Sequence, residues 1–138
     1  MSKLRLSLED DRAAFEPGAG LRVTAEWELE RPPPALELEL GWHTEGKGTQ
    51  DAELAAVMRL DDPGARGRHR FELRLPEAPW SFSGRLVSLV WTLELQAGPR
   101  GPRASRALVI APGAREIELP EGPPGERQRG KRGRWSRR

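Results

Sequence analysis

Strict alternation of apolar and polar residues is the feature of this chain that most limits its fold. In the segment LRVTAEWEL, every odd position from Leu21 to Leu29 is apolar, and the residues between them are polar or charged. Segments 36–42, 71–75 and 87–95 carry apolar residues with the same two-residue period. Because successive side chains of a strand point to opposite faces, each segment predicts a strand with one dry and one wet face. A helix would need apolar residues three and four positions apart, and these segments lack that spacing.

Glycine- and proline-rich stretches separate the alternating segments. They are EPGAG, RPPP, EGKG, DDPGARG and AGPRGPR, at 16–20, 31–34, 45–48, 61–67 and 97–103. Such residues turn the chain or cannot donate to a strand ladder. Strands with one wet face, joined by short turns, are typical of antiparallel sheets packed face to face. The sequence therefore predicts an all-β antiparallel sandwich of about seven strands over residues 1–120.

The segment AELAAVMRL, at 52–60, is ambiguous. Its composition favours a helix, but Leu54, Ala56, Met58 and Leu60 alternate with the other residues. The rest of the chain is β, and the spacing suits a hairpin. We therefore predict a strand with these four residues on one apolar face.

Composition excludes several classes of protein. The chain has no cysteine, which excludes a disulfide framework, a cysteine nucleophile and a thiolate zinc site, and fits a reducing compartment. The first residues lack the apolar run of a secretory signal, and no 18-residue apolar run is long enough for a transmembrane segment. The expectation is a soluble cytoplasmic protein.

Charge divides the chain into an acidic body and a basic end. Residues 1–126 hold 21 acidic and 16 basic residues, a net charge of −5, whereas residues 127–138 hold seven basic and no acidic residues. From Glu121 onwards the only large apolar residue is Trp135. Too little surface can be buried there to offset the entropy of ordering, so residues 121–138 are predicted to be a disordered basic tail.

The stretch LPEAPWSFSGRLVSLVWTLELQA, at 75–97, reads as a corner followed by a central strand. Pro76 and Pro79 lack amide donors and so end ladder pairing. Ser81 and Ser83 can bond nearby backbone, and Gly84 permits a tight entry into the next strand. The chain is therefore expected to leave one sheet and begin the central strand of the other, with Trp91 at its middle.

These residues resemble the arrestin-like family. Members typically carry an F-x-x-x-L-P strand, a proline linker, an aromatic-serine-x-glycine corner and an I/V-x-W/Y-x-L strand. The matching positions here are Phe71, Leu75, Pro76, Pro79, Ser81, Phe82, Gly84, Leu89, Trp91 and Leu93. FEPGAGLRVTAEWEL is similar to an earlier turn and strand of the family through Pro17, Gly18 and Val23, and departs from it at Ala25, where the family often has glycine.

The resemblance covers about residues 1–119 and corresponds to one arrestin-type lobe. It implies an immunoglobulin-like β-sandwich. It also implies an adaptor that binds protein tails, membrane receptors or trafficking complexes, although one fold hosts many functions. On this basis the partner is an unidentified protein.

No constellation in the sequence indicates catalysis. His43 and His69 are the only histidines, and neither follows a metal-ligand spacing or accompanies an obvious nucleophile. Both are expected to be exposed at an edge or in a loop. No glycine-rich stretch has the ending of a phosphate loop. The chain is predicted to be a non-enzyme without a metal or cofactor.

Three surfaces remain as candidate binding sites. Trp80 and Phe82 either seal the end of the sandwich or form a peptide-binding patch, and sealing is favoured. Glutamates at 26, 28, 30, 37 and 39 either line a solvated sheet face or form an acidic patch that binds a basic peptide. One candidate for that peptide is the protein's own tail. The tail can bind a polyanion, either nucleic acid or an anionic membrane surface, through Arg127, Arg129, Lys131, Arg132, Arg134, Trp135, Arg137 and Arg138.

Two function classes follow from these surfaces. The first is a non-enzymatic adaptor or scaffold module that binds a protein through the sandwich, for which strand addition at an exposed edge is one route. The second is a protein associated with nucleic acid or an anionic membrane through its basic tail.

Overall fold

The computed structural model describes residues 2–46, 50–84 and 86–118. Seven strands of six or more residues and three strands of two residues make up this part of the chain, together with short 3-10 turns at Glu9–Asp11 and Pro112–Ala114. The strands are β1 (Lys3–Leu8), β2 (Ala14–Phe15), β3 (Gly20–Glu28), β4 (Ala35–Gly46), β5 (Ala52–Asp61), β6 (Arg66–Arg74), β7 (Phe82–Ser83), β8 (Val87–Ala97), β9 (Arg103–Ile110) and β10 (Ile117–Glu118). The predicted all-β fold with about seven main strands is confirmed.

The strands form two sheets. The narrow sheet has the order β1-β3-β6 and is antiparallel throughout. In the broad sheet β5 pairs with β4, β4 with β8, and β8 with both β9 and β7; the short strands β2 and β10 then pair with β9 and β7. The long strands pair antiparallel, whereas the two-residue pairings β2 with β9 and β7 with β10 are parallel.

The core lies between the two sheets and uses the faces that the alternation predicts. The buried side chains of the narrow sheet include Leu21, Val23 and Trp27, and those of the broad sheet include Leu38 and Trp91. Each tryptophan also satisfies its indole N–H. Trp27 Nε1 donates to the carbonyl of Gly64 at 3.1 Å, and Trp91 Nε1 donates to the carbonyl of Pro79 at 2.8 Å. Each therefore ties a loop to the core, as buried aromatic residues with a polar atom usually do.

The corner before β8 is held by a residue far along the chain. Ser81 is 1% exposed, its N–H donates to the carbonyl of Ile110 at 2.7 Å, and its Oγ accepts the N–H of Ile110 at 3.0 Å. We expected this serine to bond nearby backbone, but its partner lies 29 residues away. The corner is thus fastened to the end of β9, which closes one end of the sandwich.

A β-bulge changes the predicted faces of β5. Leu40 lies opposite Ala56, but the next residue of β4, Gly41, lies opposite Leu54, so Ala55 is the additional residue. Because an extra residue reverses the alternation that follows it, Leu54 points to the outer face of the broad sheet. Residues 52–60 are a strand, as predicted, and Ala56, Met58 and Leu60 face the core. The prediction that Leu54 shares their face is wrong.

Candidate interaction surfaces

The candidate tail residues, Arg127 to Arg138, lie outside the described residues, as does the proposed boundary at residue 120. Trp80 and Phe82 are both half-buried at the corner before β8. Trp80 Nε1 donates to the carbonyl of Glu77 at 2.9 Å, and Phe82 packs against the core. These contacts fit the sealing role, and the peptide-binding patch at Trp80 and Phe82 stays a prediction.

The two histidines lie in different sheets and have different surroundings. His43 lies on the outer face of β4, and its Nε2 is 2.8 Å from Oε2 of Glu45. His69 lies within β6 on the inner face, where its ring meets Phe71 edge-on with the centroids 4.7 Å apart. The expectation of an exposed edge or loop position is therefore wrong in part for both: His69 lies on an edge strand but is half-buried, and His43 is half-buried in a central strand that pairs on both sides. Within the described ranges, no group of three or more potential ligands is placed to hold a metal ion.

The five glutamates of the predicted acidic patch do not share one surface. Glu26 and Glu28 lie on β3 in the narrow sheet, whereas Glu37 and Glu39 lie on β4 in the broad sheet. The two pairs therefore face opposite sides of the sandwich, and Glu30 lies beyond the end of β3. The sequence pattern grouped the five glutamates because β3 and β4 are consecutive strands. The chain passes from the narrow to the broad sheet between β3 and β4.

The outer face of the narrow sheet is basic. Cross-strand register places Lys3, Glu28 and Arg66 in one row and Arg5, Glu26 and Arg68 in the next. Each row has a central carboxylate between two cations. Over the whole face, seven basic residues outnumber the three acidic residues Glu26, Glu28 and Glu72; the basic residues are Lys3, Arg5, Arg22, Arg66, Arg68, Arg70 and Arg74.

One ion pair on this face shifts the pKa of its carboxyl group. Arg66 donates a hydrogen bond to Glu28, and this bond, with the charge of Arg66, lowers the pKa of the Glu28 carboxyl below its ordinary value of 4.5. Both side chains are well exposed, so the pair is screened by solvent. Arg5, Arg68 and Arg70 form no ion pair with any other residue that the structure describes.

The outer face of the broad sheet is acidic. On β4, β5, β8 and β9 it carries Glu37, Glu39, Glu45, Asp61 and Glu94 against the guanidinium groups of Arg59 and Arg103. Arg59 is already paired, because it donates hydrogen bonds to Asp61 at 2.7 Å and to Glu37 at 2.8 Å, and these bonds raise the pKa of its guanidinium above the ordinary value.

Two of the carboxylates on this face oppose each other directly. Glu39 of β4 and Glu94 of β8 are cross-strand neighbours, an arrangement that costs free energy when both are charged. Arg103 approaches Glu94 only to 4.0 Å, and Glu39 forms no ion pair within the described part of the chain. The repulsion between them is therefore largely uncompensated by the protein's described cations.

A shallow groove of about 440 Å³ runs beside these carboxylates. Gly41 and Thr92 form its floor, Leu54 and Ala52 form one wall, and Glu39 and Glu94 lie at one end. Gly41 creates the depression because it has no side chain, and an added Cβ would lie 2.9 Å from the carbonyl oxygen of Glu53. The bulge in β5 then places Leu54 at the rim.

The edge of the broad sheet at β5 is open, and its stretch from Ala52 to Met58 is largely apolar. Within the described residues, β5 pairs only with β4, so its other side presents unpaired N–H and C=O groups along ten residues. Leu54 and Val57 are 53% and 50% exposed on its outer face. The sequence pattern missed this surface, because only the bulge turns Leu54 outward. The exposed alternate position of Val57 was the available signal.

Comparisons with known proteins inform the fold. The chain is similar to Spo0M, the sporulation control protein of Bacillus subtilis, with a TM-score of 0.56 and 18% identity over 80% of this chain. It spans about half of Spo0M, 49% of that chain. At this identity the likeness shows the fold alone, a β-sandwich.

A β-glucosidase of Listeria innocua is a more distant neighbour. Its TM-score is 0.45 at 11% identity, over 84% of this chain and 16% of that chain, a similarity that carries no conclusion for this protein. No family model and no curated protein sequence matches the chain. Among the described residues, no helix has the length and apolar character needed to cross a bilayer.

Proposed function

We propose that this chain is a non-enzymatic protein-interaction module, a divergent single lobe of the arrestin type, that binds a protein partner by strand addition at β5. The observation that carries the proposal is the open edge of the broad sheet with Leu54 and Val57 exposed beside it. An added strand gains main-chain hydrogen bonds along the edge, and its alternate side chains meet the two apolar residues. Spo0M is a sporulation control protein, and a regulatory role of that kind is compatible with this proposal.

The neighbouring edges support β5 as the binding edge. Sheet edges are commonly protected by charged side chains, which must be desolvated before another strand can approach. The edge strand β6 carries Arg66, Arg68 and Arg70 at alternate positions, and β1 carries Lys3 and Arg5. Between Ala52 and Met58, β5 carries Glu53 as its only charged residue. A partner strand therefore meets the smallest desolvation cost at β5.

The experiment is a comparison of partner capture by matched variants. Leu54→Lys with Val57→Lys places two charges on the edge strand, and the expected result is a loss of at least about tenfold in affinity for the partner. Leu86→Lys is the control, because Leu86 is 56% exposed and lies outside β5. Partners are captured from the native host cells and identified by mass spectrometry, and dissociation constants are then measured with purified proteins.

Hydrogen exchange provides the second readout. If a strand adds at β5, the amides of residues 52–61 exchange more slowly in the complex, because those that were exposed become ladder donors. The proposal is overturned if the double lysine variant binds the partner as tightly as the wild type, or if protection on binding appears only in other strands.

A further inference from the structure

The two outer faces of the sandwich carry opposite charge. Seven basic residues face outward from the narrow sheet against three acidic ones, whereas five carboxylates face outward from β4, β5, β8 and β9 of the broad sheet against Arg59 and Arg103. A basic segment of the same chain is therefore repelled by one face and attracted by the other. Residues 127–138 are such a segment, with seven basic residues and no acidic one.

The groove on the acidic face matches that segment in more than charge. Its wall of Leu54 and Ala52 and its floor at Gly41 form an apolar surface next to Glu39 and Glu94. The segment contains a single large apolar residue, Trp135, directly after Arg134 and two residues before Arg137. An indole on the apolar wall places guanidinium groups within reach of the two opposed carboxylates, whose mutual repulsion a cation relieves.

The chain is long enough to bring the segment there. The described part ends at Glu118 in β10, which pairs with β7, and β7 pairs with β8 at Leu89. Three strand spacings separate β10 from β4, about 14 Å, and the groove lies three residues beyond Leu89 on β8, about 10 Å further. Residues 119–126 span up to about 26 Å when extended. The two offsets are perpendicular, and this length exceeds the straight-line distance that they define.

We infer that residues 127–138 dock on the acidic outer face of the broad sheet, with Trp135 in the groove at Gly41 and Leu54 and its flanking arginines on Glu39 and Glu94. Tethering favours this occupant over a free basic peptide, because a short linker holds the segment at an effective concentration of about millimolar. The two proposals share Leu54, but the inference does not depend on strand addition at β5, because the carboxylates that attract the segment, Glu39 and Glu94, lie on β4 and β8.

The test measures how fast trypsin cleaves within residues 127–138 of the full-length protein. Initial rates are followed by mass spectrometry at about 0.01 M and about 1 M ionic strength, where the Debye length is about 30 Å and 3 Å. The wild-type segment is expected to be cleaved about tenfold more slowly at low ionic strength, a factor equal to about 1.4 kcal/mol of docking free energy. A peptide of residues 121–138, measured under both conditions, corrects for the salt response of trypsin itself.

Charge-matched variants locate the docking surface. Glu39→Gln with Glu94→Gln removes the carboxylates at the groove, and we expect fast cleavage at both ionic strengths. Glu26→Gln with Glu72→Gln makes the same change of charge on the narrow sheet and should keep the wild-type protection. Trp135→Ala leaves every trypsin site in place and should lose part of the protection, since only the apolar contact is removed.

Three results would overturn the inference. The first is an equal cleavage rate at low ionic strength for the wild type and the Glu39→Gln, Glu94→Gln double variant. The second is an equal loss of protection in that double variant and in the Glu26→Gln, Glu72→Gln double variant. In the third, protection rises with protein concentration, which places the segment on a second copy of the chain. Because the substituted glutamates are exposed or half-buried, thermal unfolding of each variant serves as the check that its sandwich is intact.

Discussion

The broad sheet ends at β5 and the narrow sheet ends at β6, and these two edge strands differ in what they expose. They are consecutive in the chain and similar in length, with ten and nine residues. On β6, arginines occupy the outward positions 66, 68, 70 and 74, whereas β5 exposes Leu54 and Val57. Charged side chains protect the β6 edge against pairing, whereas the proposed binding edge at β5 exposes apolar side chains at these two positions.

The same contrast extends across the two outer faces. On the narrow sheet, arginines surround the carboxylates of β3, and Glu28 is bonded to Arg66. On the broad sheet, Glu39 and Glu94 oppose each other beside an apolar groove. An excess of arginine on the narrow sheet serves solubility and edge protection. Two opposed carboxylates next to an apolar depression cost free energy, and only Arg103, 4.0 Å from Glu94, offsets part of that cost within the described residues.

The comparison of the two sheets depends on which face of each strand points to the core. The prediction with the largest expected effect tests this assignment for β8. Trp91 is 0% exposed at the centre of the broad sheet, and Trp91→Ala should lower the free energy of unfolding by about 3–5 kcal/mol, because it leaves a large cavity. Val90→Ala, at the adjacent position on the other face, should cost less than about 1 kcal/mol. Urea unfolding measures both, and equal effects would show that the faces of β8 are misassigned.

A second substitution tests whether β6 presents its arginines outward. Gly67 lies opposite Trp27 in the narrow sheet, and an added Cβ would lie 2.7 Å from Cζ2 of the Trp27 ring. Gly67→Ala should therefore destabilise the protein by about 1–3 kcal/mol, through displacement of the ring and its bond to Gly64.

The matched control lies in the neighbouring strand. At Gly20 an added Cβ meets no atom within 4 Å, so Gly20→Ala should be neutral, or stabilising by up to about 1 kcal/mol. Thermal or urea unfolding distinguishes the two variants. If both were neutral, Gly67 would not face Trp27, and the outward direction of Arg66 and Arg68 would lose its support.

The sequence alone was sufficient for the strands and most of their faces, because a two-residue period follows from backbone geometry. Leu21, Val23 and Trp27 are buried as their alternation predicts. Leu54 was misassigned, because a bulge of one residue has no signature in the apolar pattern of AELAAVMRL. The local pattern likewise does not state which sheet a strand joins, so glutamates of β3 and β4 were grouped although they face opposite sides.

The surfaces were harder to predict than the core for a physical reason. Burial selects apolar residues one by one, and each leaves its mark in the sequence. A surface such as the pair Glu39 and Glu94 exists only through register between strands that are 55 positions apart in the sequence. The basic face of the narrow sheet is likewise assembled from β1, β3 and β6, and the net charge of residues 1–126 conceals it.

The smallest expected effect concerns the charge balance of the narrow sheet. The hydrogen bond and charge of Arg66 lower the pKa of Glu28 in the folded protein, relative to its ordinary value of 4.5. A carboxyl whose folded pKa is lowered contributes stability that is present above its unfolded pKa and is lost as the pH falls through the folded pKa. The contribution of Glu28 is therefore full at neutral pH and declines below about pH 4.5.

Glu28→Gln should accordingly be less stable than the wild type at neutral pH, and the difference should shrink as the pH is lowered below 4.5. Arg66→Gln should likewise lack the part of the stability that is lost below pH 4.5, because it removes the partner that lowers the pKa of Glu28. The measurement is urea unfolding of the three proteins across this pH range. A stability difference between the wild type and Glu28→Gln that stays constant from neutral to acid pH would mean that Arg66 does not pair with Glu28 in solution. The protection of the β6 edge would then rest on unpaired arginines alone.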